Sequence, residues 1–363
     1  MNKFAFIIHP LELEDFHRKF PWAEKLPEAI LERFTRMLPP VKASHITGIR
    51  SKTGREIEGF FIGVTLTSKQ MLTLPDDKVI SKIIKAGKMA EEMGAEIVGL
   101  GAFTSVVGDK GISIAKELDI PVTTGNSYTV ATAIEGTRLA AKKMGYDLKK
   151  ESLTVIGATG SIGRAVSIIM SNYVKRIILL ARDKKKLKKL AHELEVLNPD
   201  IKIIISNDIQ EAVSHSKIIV SASGAAKSLL EPSVLLPGAI VCDVARPRDV
   251  AVKVGQARND ILVIEGGIVE VPGPVNFNFN FGYPPGTAYA CMAETMMLTL
   301  EKRFEDYSLG PVIEVEKVNE TIDMAKRNGF SLAGLRSFER ELTEEQIKSI
   351  RLKAEAKLLA CTY

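Results

Sequence analysis

The sequence has few of the residues that build disulfides and metal centres. Three cysteines occur in 363 residues, and their odd number and irregular spacing argue against a disulfide framework and against a zinc site built from cysteines. The five histidines are scattered and lie near no cysteine, so we expect no structural metal. The cysteines are Cys242, Cys291 and Cys361.

Long hydrophobic runs are also missing. No apolar run reaches the roughly 18 residues of a transmembrane helix. The first residues, MNKFAFIIHPLELEDFH, turn acidic too soon for a signal peptide. We therefore expect a cytoplasmic protein without integral membrane association.

The charge is mild and mixed in sign. The chain has 49 Lys and Arg against 44 Asp and Glu, and its basic residues are spread out apart from a cluster at 182–189. This distribution does not indicate a nucleic-acid groove, whereas an acidic ligand or partner protein is compatible with it. No internal repeat or low-complexity segment is present, and the length predicts two domains with a helical appendage.

Residues 1–148 predict an N-terminal α/β domain. Apolar runs and period-two alternation indicate strands, and apolar residues at helical spacing indicate a helix that begins after Leu74-Pro75-Asp76. Strand–loop–helix order favours a parallel sheet, in which ligands bind where strands end in loops. The predicted strands are Phe4–Ile8, Ile57–Leu66, Ala95–Leu100 and Val122–Thr124, and the predicted helices are Lys78–Met93 and one that ends near Met144.

A second domain is predicted over residues 149–285, with the boundary between the domains in the polar stretch Gly145–Glu151. Six short apolar strands alternate with helices there, which is the count of a Rossmann-type doubly wound parallel sheet. Residues 286–363 are predicted to be a mostly helical segment, with a Thr343/Gln346 capping box before its last helix, Glu344–Leu359. The six strands are Leu153–Ile156, Arg176–Leu180, Ile201–Ile205, Lys217–Ser221, Ala239–Asp243 and Ile261–Ile264.

A glycine-rich turn joins the first of these strands to a helix. The segment GATGSIG, residues 157–163, follows strand Leu153–Ile156 and opens the helical run Arg164–Asn172, as in a dinucleotide fingerprint. Gly157 permits a tight turn, Gly160 lets the backbone approach a pyrophosphate, and Gly163 allows close packing of helix on strand. The helix N-terminus then faces the pyrophosphate. From this segment the expected cofactor-binding residues are Gly157, Thr159, Gly160, Ser161, Ile162 and Gly163.

The end of the second strand predicts a preference for NADP(H). An NAD-selective site usually has an acidic residue there for the ribose 2′-hydroxyl. Here Arg182 takes that place and lysines follow, and a guanidinium can pair bidentately with a 2′-phosphate. A solvated lysine face is the alternative interpretation of the lysines, and Asp183 leaves NAD open.

Small and polar residues end the later strands. They leave room for the nicotinamide ribose, although packing alone can also account for them. The additional cofactor residues predicted on this basis are Ser221, Ala222, Ser223, Asp243, Gly266 and Gly267.

No conventional acid–base residue is evident for a dehydrogenase. None of the histidines falls at a strand end of the Rossmann domain, and the Tyr–Lys pair of short-chain dehydrogenases is not apparent. Cys291 is a candidate instead. We expect Gly282–Thr287 to be a loop and Thr287 to cap a helix that begins at Ala288, which puts Cys291 near a helix N-terminus that favours the thiolate. A thiolate near NADPH indicates capture of an acyl group followed by reduction; a buried structural thiol is the alternative.

Five segments together resemble the long-chain acyl-[acyl-carrier-protein] reductases. The likeness spans most of the chain and consists of GAFTSVV at 101–107, TTGNS at 123–127, GATGSIG at 157–163, GGIVE at 266–270 and ACMAE at 290–294. The resemblance implies NADPH-dependent reduction of a fatty acyl thioester to an aldehyde, with Cys291 as nucleophile. It also implies an acyl channel shaped by the N-terminal domain and the C-terminal helices, with Thr104, Ser105, Thr124, Asn126 and Ser127 facing the reaction centre as substrate residues.

The segment between Glu270 and Cys291 departs from the family's pattern. The alternation at Val275–Phe281 predicts a strand directly before the nucleophile. The acyl length, and whether acyl carrier protein or coenzyme A is the donor, are therefore left open.

Two rival functions are left open, and so is assembly into a homo-oligomer. One is a conventional NADP-dependent dehydrogenase of a small hydroxy acid or ketone, similar to shikimate dehydrogenase. The other is an NADP-binding sensor without turnover.

Overall fold

The computed structural model describes residues 1–10, 27–223, 230–245, 250, 252–280, 282–338 and 340–360. The helices are α1 Glu28–Met37, α2 Ser68–Thr73, α3 Asp76–Glu92, α4 Ile112–Glu117, α5 Asn126–Lys143, α6 Ser161–Met170, α7 Lys184–Leu197, α8 Ile209–Val213, α9 Val252–Ala257, α10 Ala290–Leu300, α11 Val315–Asn328 and α12 Glu344–Ala360. The strands are β1 Asn2–Ile8, β2 Val41–Arg50, β3 Glu56–Gly63, β4 Val98–Leu100, β5 Val122–Thr123, β6 Ser152–Ile156, β7 Arg176–Leu180, β8 Lys202–Ser206, β9 Ile218–Ser221, β10 Ile240–Asp243, β11 Leu262–Glu265, β12 Ile268–Glu270, β13 Thr287–Tyr289, β14 Ser331–Leu332, β15 Arg336–Ser337 and β16 Arg340–Glu341.

Contacts divide the chain into two compact units. The first unit is Met1–Asn126, Glu270–Pro311 and Glu320–Ser331, and the second is Ser127–Val269, Val312–Asn319 and Leu332–Tyr363. Helix α10, which carries Cys291, therefore belongs to the same unit as the N-terminal sheet. The units cut across the three predicted segments, 1–148, 149–285 and 286–363.

The first unit contains a five-stranded sheet in the order β2-β3-β1-β4-β5. Strands β3, β1, β4 and β5 run parallel, and β2 pairs antiparallel with β3 at the edge. Apolar side chains of β1, β3 and β4 form a core with helix α3, where Val79 and Ile83 are fully buried. This arrangement of a mostly parallel sheet with packed helices confirms the predicted α/β architecture. Strand β2 and helix α1 were not predicted.

The second unit contains a parallel sheet in the order β11-β10-β9-β6-β7-β8. All six predicted strands are present within one residue or so of the expected bounds, which confirms the Rossmann-type fold. The strand order reverses between β6 and β9, the switch point at which ligands of such sheets bind.

The C-terminal helix α12 is fixed at both ends. At its start the predicted capping box is confirmed, because the backbone N–H of Gln346 donates to Thr343 Oγ1 at 3.2 Å and Gln346 Oε1 accepts from the Thr343 N–H at 2.9 Å. Further along, Lys357 Nζ lies 3.1 Å from Asp260 Oδ1. Asp260 is fully buried and also accepts two hydrogen bonds from Arg258, at 2.7 and 2.8 Å.

The predicted strand at Val275–Phe281 is wrong for the residues described. Only an isolated bridge joins Asn276 to Thr47. Asn276 Oδ1 accepts from the N–H of Asn278, and Asn278 has φ +47°, so the chain turns where a strand would continue. The alternation instead places Phe277 and Phe279 against Phe61, with ring centroids 6.0 and 5.7 Å apart. Phe281 lies outside the described residues.

Candidate active site

Loops at one edge of the first unit's sheet hold the candidate substrate residues Thr104, Ser105 and Thr124. Because β1, β4 and β5 are parallel, their carboxyl ends meet at the same edge. His9 follows β1, a 3₁₀ turn at Ala102–Ser105 follows β4, and Thr124-Gly125 follows β5. This edge is where a parallel sheet offers loop residues to a ligand.

Cys291 is the second residue of α10. The helix begins at Ala290 rather than at the expected Ala288, because Thr287–Tyr289 is a strand. Thr287 does not cap the helix, since its hydroxyl donates to the carbonyl of Pro284 at 2.7 Å. Cys291 is half-buried and is not in a disulfide. Its position in the first helical turn favours a thiolate through the helix dipole.

Gly125 lies directly against Cys291. Its φ is +70°, in the left-handed region. A Cβ added to Gly125 would lie 2.2 Å from Cα and 2.3 Å from Cβ of Cys291, well inside any real contact distance. Glycine is therefore required there both by the backbone conformation and by the close approach of the cysteine.

The hydroxyls predicted to face the substrate already donate hydrogen bonds. Thr104 donates to the carbonyl of Gly101 and Ser105 to that of Ala102, each at 2.7 Å, and Thr124 donates to the carbonyl of Ser308. These bonds fix the loops. Asn126, the first residue of α5, differs, because its side chain has no hydrogen-bond partner within the described part of the chain. Ser127 is fully buried.

Sequence reasoning missed two polar groups at this edge. The N–H of Phe103 donates to His9 Nε2 at 3.1 Å, so the His9 proton belongs on Nδ1, which lies 2.9 Å from the carbonyl oxygen of Pro10. Glu294 is fully buried one turn after Cys291, and its Oε1 accepts from Thr123 and Ser308. A signal for Glu294 was present, since it is the only charged residue in the apolar helix Ala290–Leu300 and buried carboxylates need hydrogen-bond donors.

In the second unit, the glycine turn has the geometry of a nucleotide-binding loop. Gly157 has φ +76°. A Cβ at Gly163 would lie 2.2 Å from the carbonyl oxygen of Gly157, so only glycine lets α6 begin this close to β6. Gly160 is the N-cap residue of α6 and makes no side-chain hydrogen bond to the helix. Ser161, the first helical residue, is buried. Thr159 and Ile162 are half-buried beside them.

The residues after β7 have distinct roles. Arg182 is exposed, next to the end of the strand. Asp183 is the N-cap of α7, where its Oδ1 accepts from the N–H groups of Lys185 and Lys186 at 2.9 and 3.1 Å. The hydrogen bond from the Lys186 N–H, with that from Lys185, holds the pKa of Asp183 below its ordinary value. The carboxylate is thus engaged by its own helix.

The remaining predicted cofactor residues end β9, β10 and β11. Ser221 is fully buried, and a Cβ at Gly157 would lie 2.7 Å from the carbonyl oxygen of Ala222, so the β6 and β9 loops touch. Ser223 is half-buried beside them. Asp243 is buried and accepts from the N–H groups of Ala245 and Val250 at 3.2 and 2.9 Å.

Packing constrains the two glycines after β11. A Cβ at Gly266 would lie 3.0 Å from Cys242 Sγ, and Gly267 has φ +97°. Glycine is therefore explained at both positions by local structure.

The structure thus gathers the predicted residues into two groups. Cys291, Thr104, Ser105, Thr124 and Asn126 belong to the first unit, and Ser127 with the predicted cofactor residues belongs to the second. Within the described residues, no group of three or more His, Cys, Asp or Glu side chains is arranged to hold a metal ion. No helix in that part of the chain is long and apolar enough to cross a membrane.

Comparisons with known proteins give likenesses to several reductases and dehydrogenases. The family model described as shikimate / quinate 5-dehydrogenase matches residues 138–264. The chain is 28% identical over 361 residues to aminotransferase PigE of a Serratia species, covering 96% of this chain and only 42% of that protein. It is 27% identical over 345 residues to the long-chain acyl-[acyl-carrier-protein] reductase of Synechococcus elongatus, covering 90% of this chain and 98% of that protein.

Solved structures resemble the chain more weakly. L-tryptophan dehydrogenase from Nostoc punctiforme aligns over 98% of this chain and 89% of its own, with 12% identity and a TM-score of 0.41. Shikimate 5-dehydrogenase from Listeria monocytogenes aligns over 89% of this chain and 96% of its own, with 12% identity and a TM-score of 0.39. Taken together, the sheet order and the family-model match identify an α/β fold of the kind used by nicotinamide-dependent oxidoreductases.

Proposed function

We propose that this protein reduces a fatty acyl thioester to an aldehyde with NADPH, through an acyl group carried on Cys291. The observation that supports this most directly is the placement of Cys291 in the first turn of α10, against Gly125 at the carboxyl edge of the first unit's sheet. The likeness to the Synechococcus elongatus reductase over 98% of that protein's length supports the same substrate class.

The second unit supports NADP(H) as the cofactor. The turn at 157–163 leads into the N-terminus of α6, where backbone N–H groups can donate hydrogen bonds to a pyrophosphate. Arg182 is exposed beside the strand end and suits a 2′-phosphate. Asp183 is less suited to a ribose 2′-hydroxyl, since its Oδ1 already accepts two backbone hydrogen bonds. When bound, the cofactor supplies the hydride.

Cys291 performs the covalent step. Its thiolate attacks the thioester carbonyl carbon, so that a new C–S bond forms and the C–S bond to the donor breaks. The donor leaves as a thiolate that takes a proton from water. After hydride has added to that carbon, the bond to Cys291 breaks, so that the aldehyde departs and the thiolate is restored. The carbonyl oxygen gains negative charge in both stages. The Asn126 amide suits this charge better than the Thr104, Ser105 and Thr124 hydroxyls, whose protons are already donated to carbonyls.

The test is turnover of palmitoyl-acyl carrier protein and palmitoyl-coenzyme A with NADPH, with aldehyde identified by mass spectrometry. Wild type should form aldehyde and oxidise NADPH in equal amounts, and Cys291→Ala should do neither while still binding NADPH. Comparing kcat/KM for the two donors identifies the preferred one. Absence of aldehyde with both donors contradicts the proposal.

A second candidate is a conventional dehydrogenase of a small hydroxy acid. The shikimate / quinate 5-dehydrogenase match favours it, although residues 138–264 lie within the nucleotide-binding unit and leave the other unit unmatched. Such an enzyme has no use for a cysteine nucleophile. Oxidation of hydroxy acids that survives alkylation of Cys291 by iodoacetamide would favour this candidate over the thioester reductase.

A further inference from the structure

A buried carboxylate lies one turn from the candidate nucleophile. Glu294 is fully buried in the otherwise apolar helix α10, three residues after Cys291. Its Oε1 accepts hydrogen bonds from Thr123 Oγ1 at 2.6 Å and from Ser308 Oγ at 2.8 Å. A carboxylate in such a helix is costly, and hydrogen bonds from fixed donors are what offset the cost.

The hydroxyl of Thr123 has one proton, which settles the direction of the bonds around it. Because that proton is donated to Glu294, a lone pair of Thr123 Oγ1 is directed at the Gly125 N–H, which lies 3.1 Å away. Hydrogen bonds in such a chain polarise and strengthen one another. The chain runs from the Gly125 N–H through the Thr123 hydroxyl to the Glu294 carboxylate.

The end of this chain is in contact with Cys291. Gly125 is so close that an added Cβ would lie 2.2 and 2.3 Å from Cα and Cβ of the cysteine. The Gly125 backbone therefore limits where the Cys291 side chain can be directed. A shift of the Gly125 peptide therefore changes its contact with the backbone and Cβ of Cys291.

We propose that Thr123 and Glu294 are positioning residues for Cys291. Glu294 orients the Thr123 hydroxyl, the hydroxyl holds the Gly125 peptide, and the peptide restricts the sulfur to the direction from which it attacks. Neither residue contacts the substrate in this scheme. The aldehyde assay below rests on the proposed function, whereas the chemical reactivity of Cys291 does not.

The test compares Thr123→Val, which removes the hydroxyl but keeps the side-chain shape, with Thr123→Ser, which keeps the hydroxyl. The control is Thr299→Val, because Thr299 is also fully buried in α10 and donates only to the helix carbonyl of Thr295, at 2.7 Å. The readouts are the rate of Cys291 alkylation by iodoacetamide as a function of pH, followed on the peptide by mass spectrometry, and kcat and KM with palmitoyl thioesters and NADPH.

Thr123→Val should lower both the alkylation rate and kcat by about tenfold or more, since misplacing a reacting group by about 1 Å can cost a hundredfold. KM for NADPH should stay within about twofold. Thr123→Ser should restore the reactivity, and Thr299→Val should match wild type. The proposal would be overturned if Cys291 were alkylated in Thr123→Val at the wild-type rate. It would also be overturned if Thr299→Val lost as much reactivity as Thr123→Val.

A measurement on the wild type covers the case in which Thr123→Val does not fold. Amide hydrogen exchange at Gly125 should be strongly slowed, because its N–H is bonded to a hydroxyl of a fully buried residue. Exchange at the rate of an open loop would contradict the proposal. If wild type makes no aldehyde but the Thr123 variants still differ in alkylation as expected, the proposed function fails while the positioning role stands.

Discussion

Replacement of Gly125 by alanine tests the contact on which the account of the site depends. Two costs follow from the structure. At φ +70° an alanine is strained by about 1–2 kcal/mol. Its Cβ would also lie 2.2 Å from Cys291 Cα, whereas ordinary contacts begin at 3.4 Å, so the two segments must separate. The separation needed is about 1 Å, enough to reduce turnover by about a hundredfold.

Gly54→Ala is the matched control for this variant. Gly54 has φ +82°, so alanine is strained there to a similar extent, but nothing lies within 4 Å of the added Cβ. The backbone conformation should lower the free energy of unfolding of both variants by about 1–2 kcal/mol. Gly125→Ala alone should lose additional unfolding free energy, and it alone should lose turnover of palmitoyl thioesters.

The assay measures Cys291 alkylation, palmitoyl-thioester turnover and chemical unfolding for both variants. We expect Gly125→Ala to show slow alkylation and low kcat with an unchanged KM for NADPH. Turnover and alkylation equal to those of Gly54→Ala would refute the argument that the contact with Gly125 positions Cys291.

Three further predictions concern the second unit. Arg182→Ala should raise KM for NADPH by about tenfold and leave KM for NADH unchanged, because only a 2′-phosphate needs the guanidinium; equal KM values for NADPH in variant and wild type would rule this out. Gly163→Ala would bring a Cβ to 2.2 Å from the carbonyl oxygen of Gly157, so NADPH should no longer raise the melting temperature of the protein, and an undiminished shift would contradict the packing argument. Asp260→Asn should lower the unfolding free energy by about 2 kcal/mol at neutral pH. The hydrogen bond from Arg258 lowers the pKa of Asp260 below 3.8, so the advantage of wild type is complete above that pH and should shrink as the pH falls further in denaturant titrations; a difference constant with pH would oppose it.

The central sheet of the second unit was predictable because its strands are short, apolar and regularly spaced. Parallel strands are covered on both faces, so they are continuous apolar runs in sequence, as at Ile177–Leu180. The glycine turn was predictable for a related reason, since the tight turn at Gly157 and the close packing at Gly163 each exclude a side chain.

Strand β2 was missed because it is an irregular edge strand. It is rich in polar residues, and its pairing with β3 shifts register between Ile46 and Ile49, around Gly48 at φ +78°. The prediction of a strand at Val275–Phe281 was wrong for the opposite reason. Its alternation was clear, but a local hydrogen bond from Asn278 to Asn276 favoured a turn over a sheet ladder.

The position of Cys291 near a helix N-terminus could be inferred from the loop before it, but the surroundings of the cysteine could not. Thr123 and Glu294 are 171 residues apart, and the contact of Gly125 with Cys291 likewise joins distant segments. Such contacts depend on how the segments pack, which local patterns do not encode. The lone carboxylate in an apolar helix was the one sequence feature that indicated a partner would be found.

Acylation of Cys291 can be measured directly from the intact mass of the protein after incubation with palmitoyl thioester in the absence of cofactor. We predict that wild type gains the mass of one acyl group, that NADPH removes it with release of aldehyde, and that Cys291→Ala gains none. An unchanged mass of the wild type with both acyl carrier protein and coenzyme A donors would contradict the covalent mechanism and leave Cys291 with a role in packing alone.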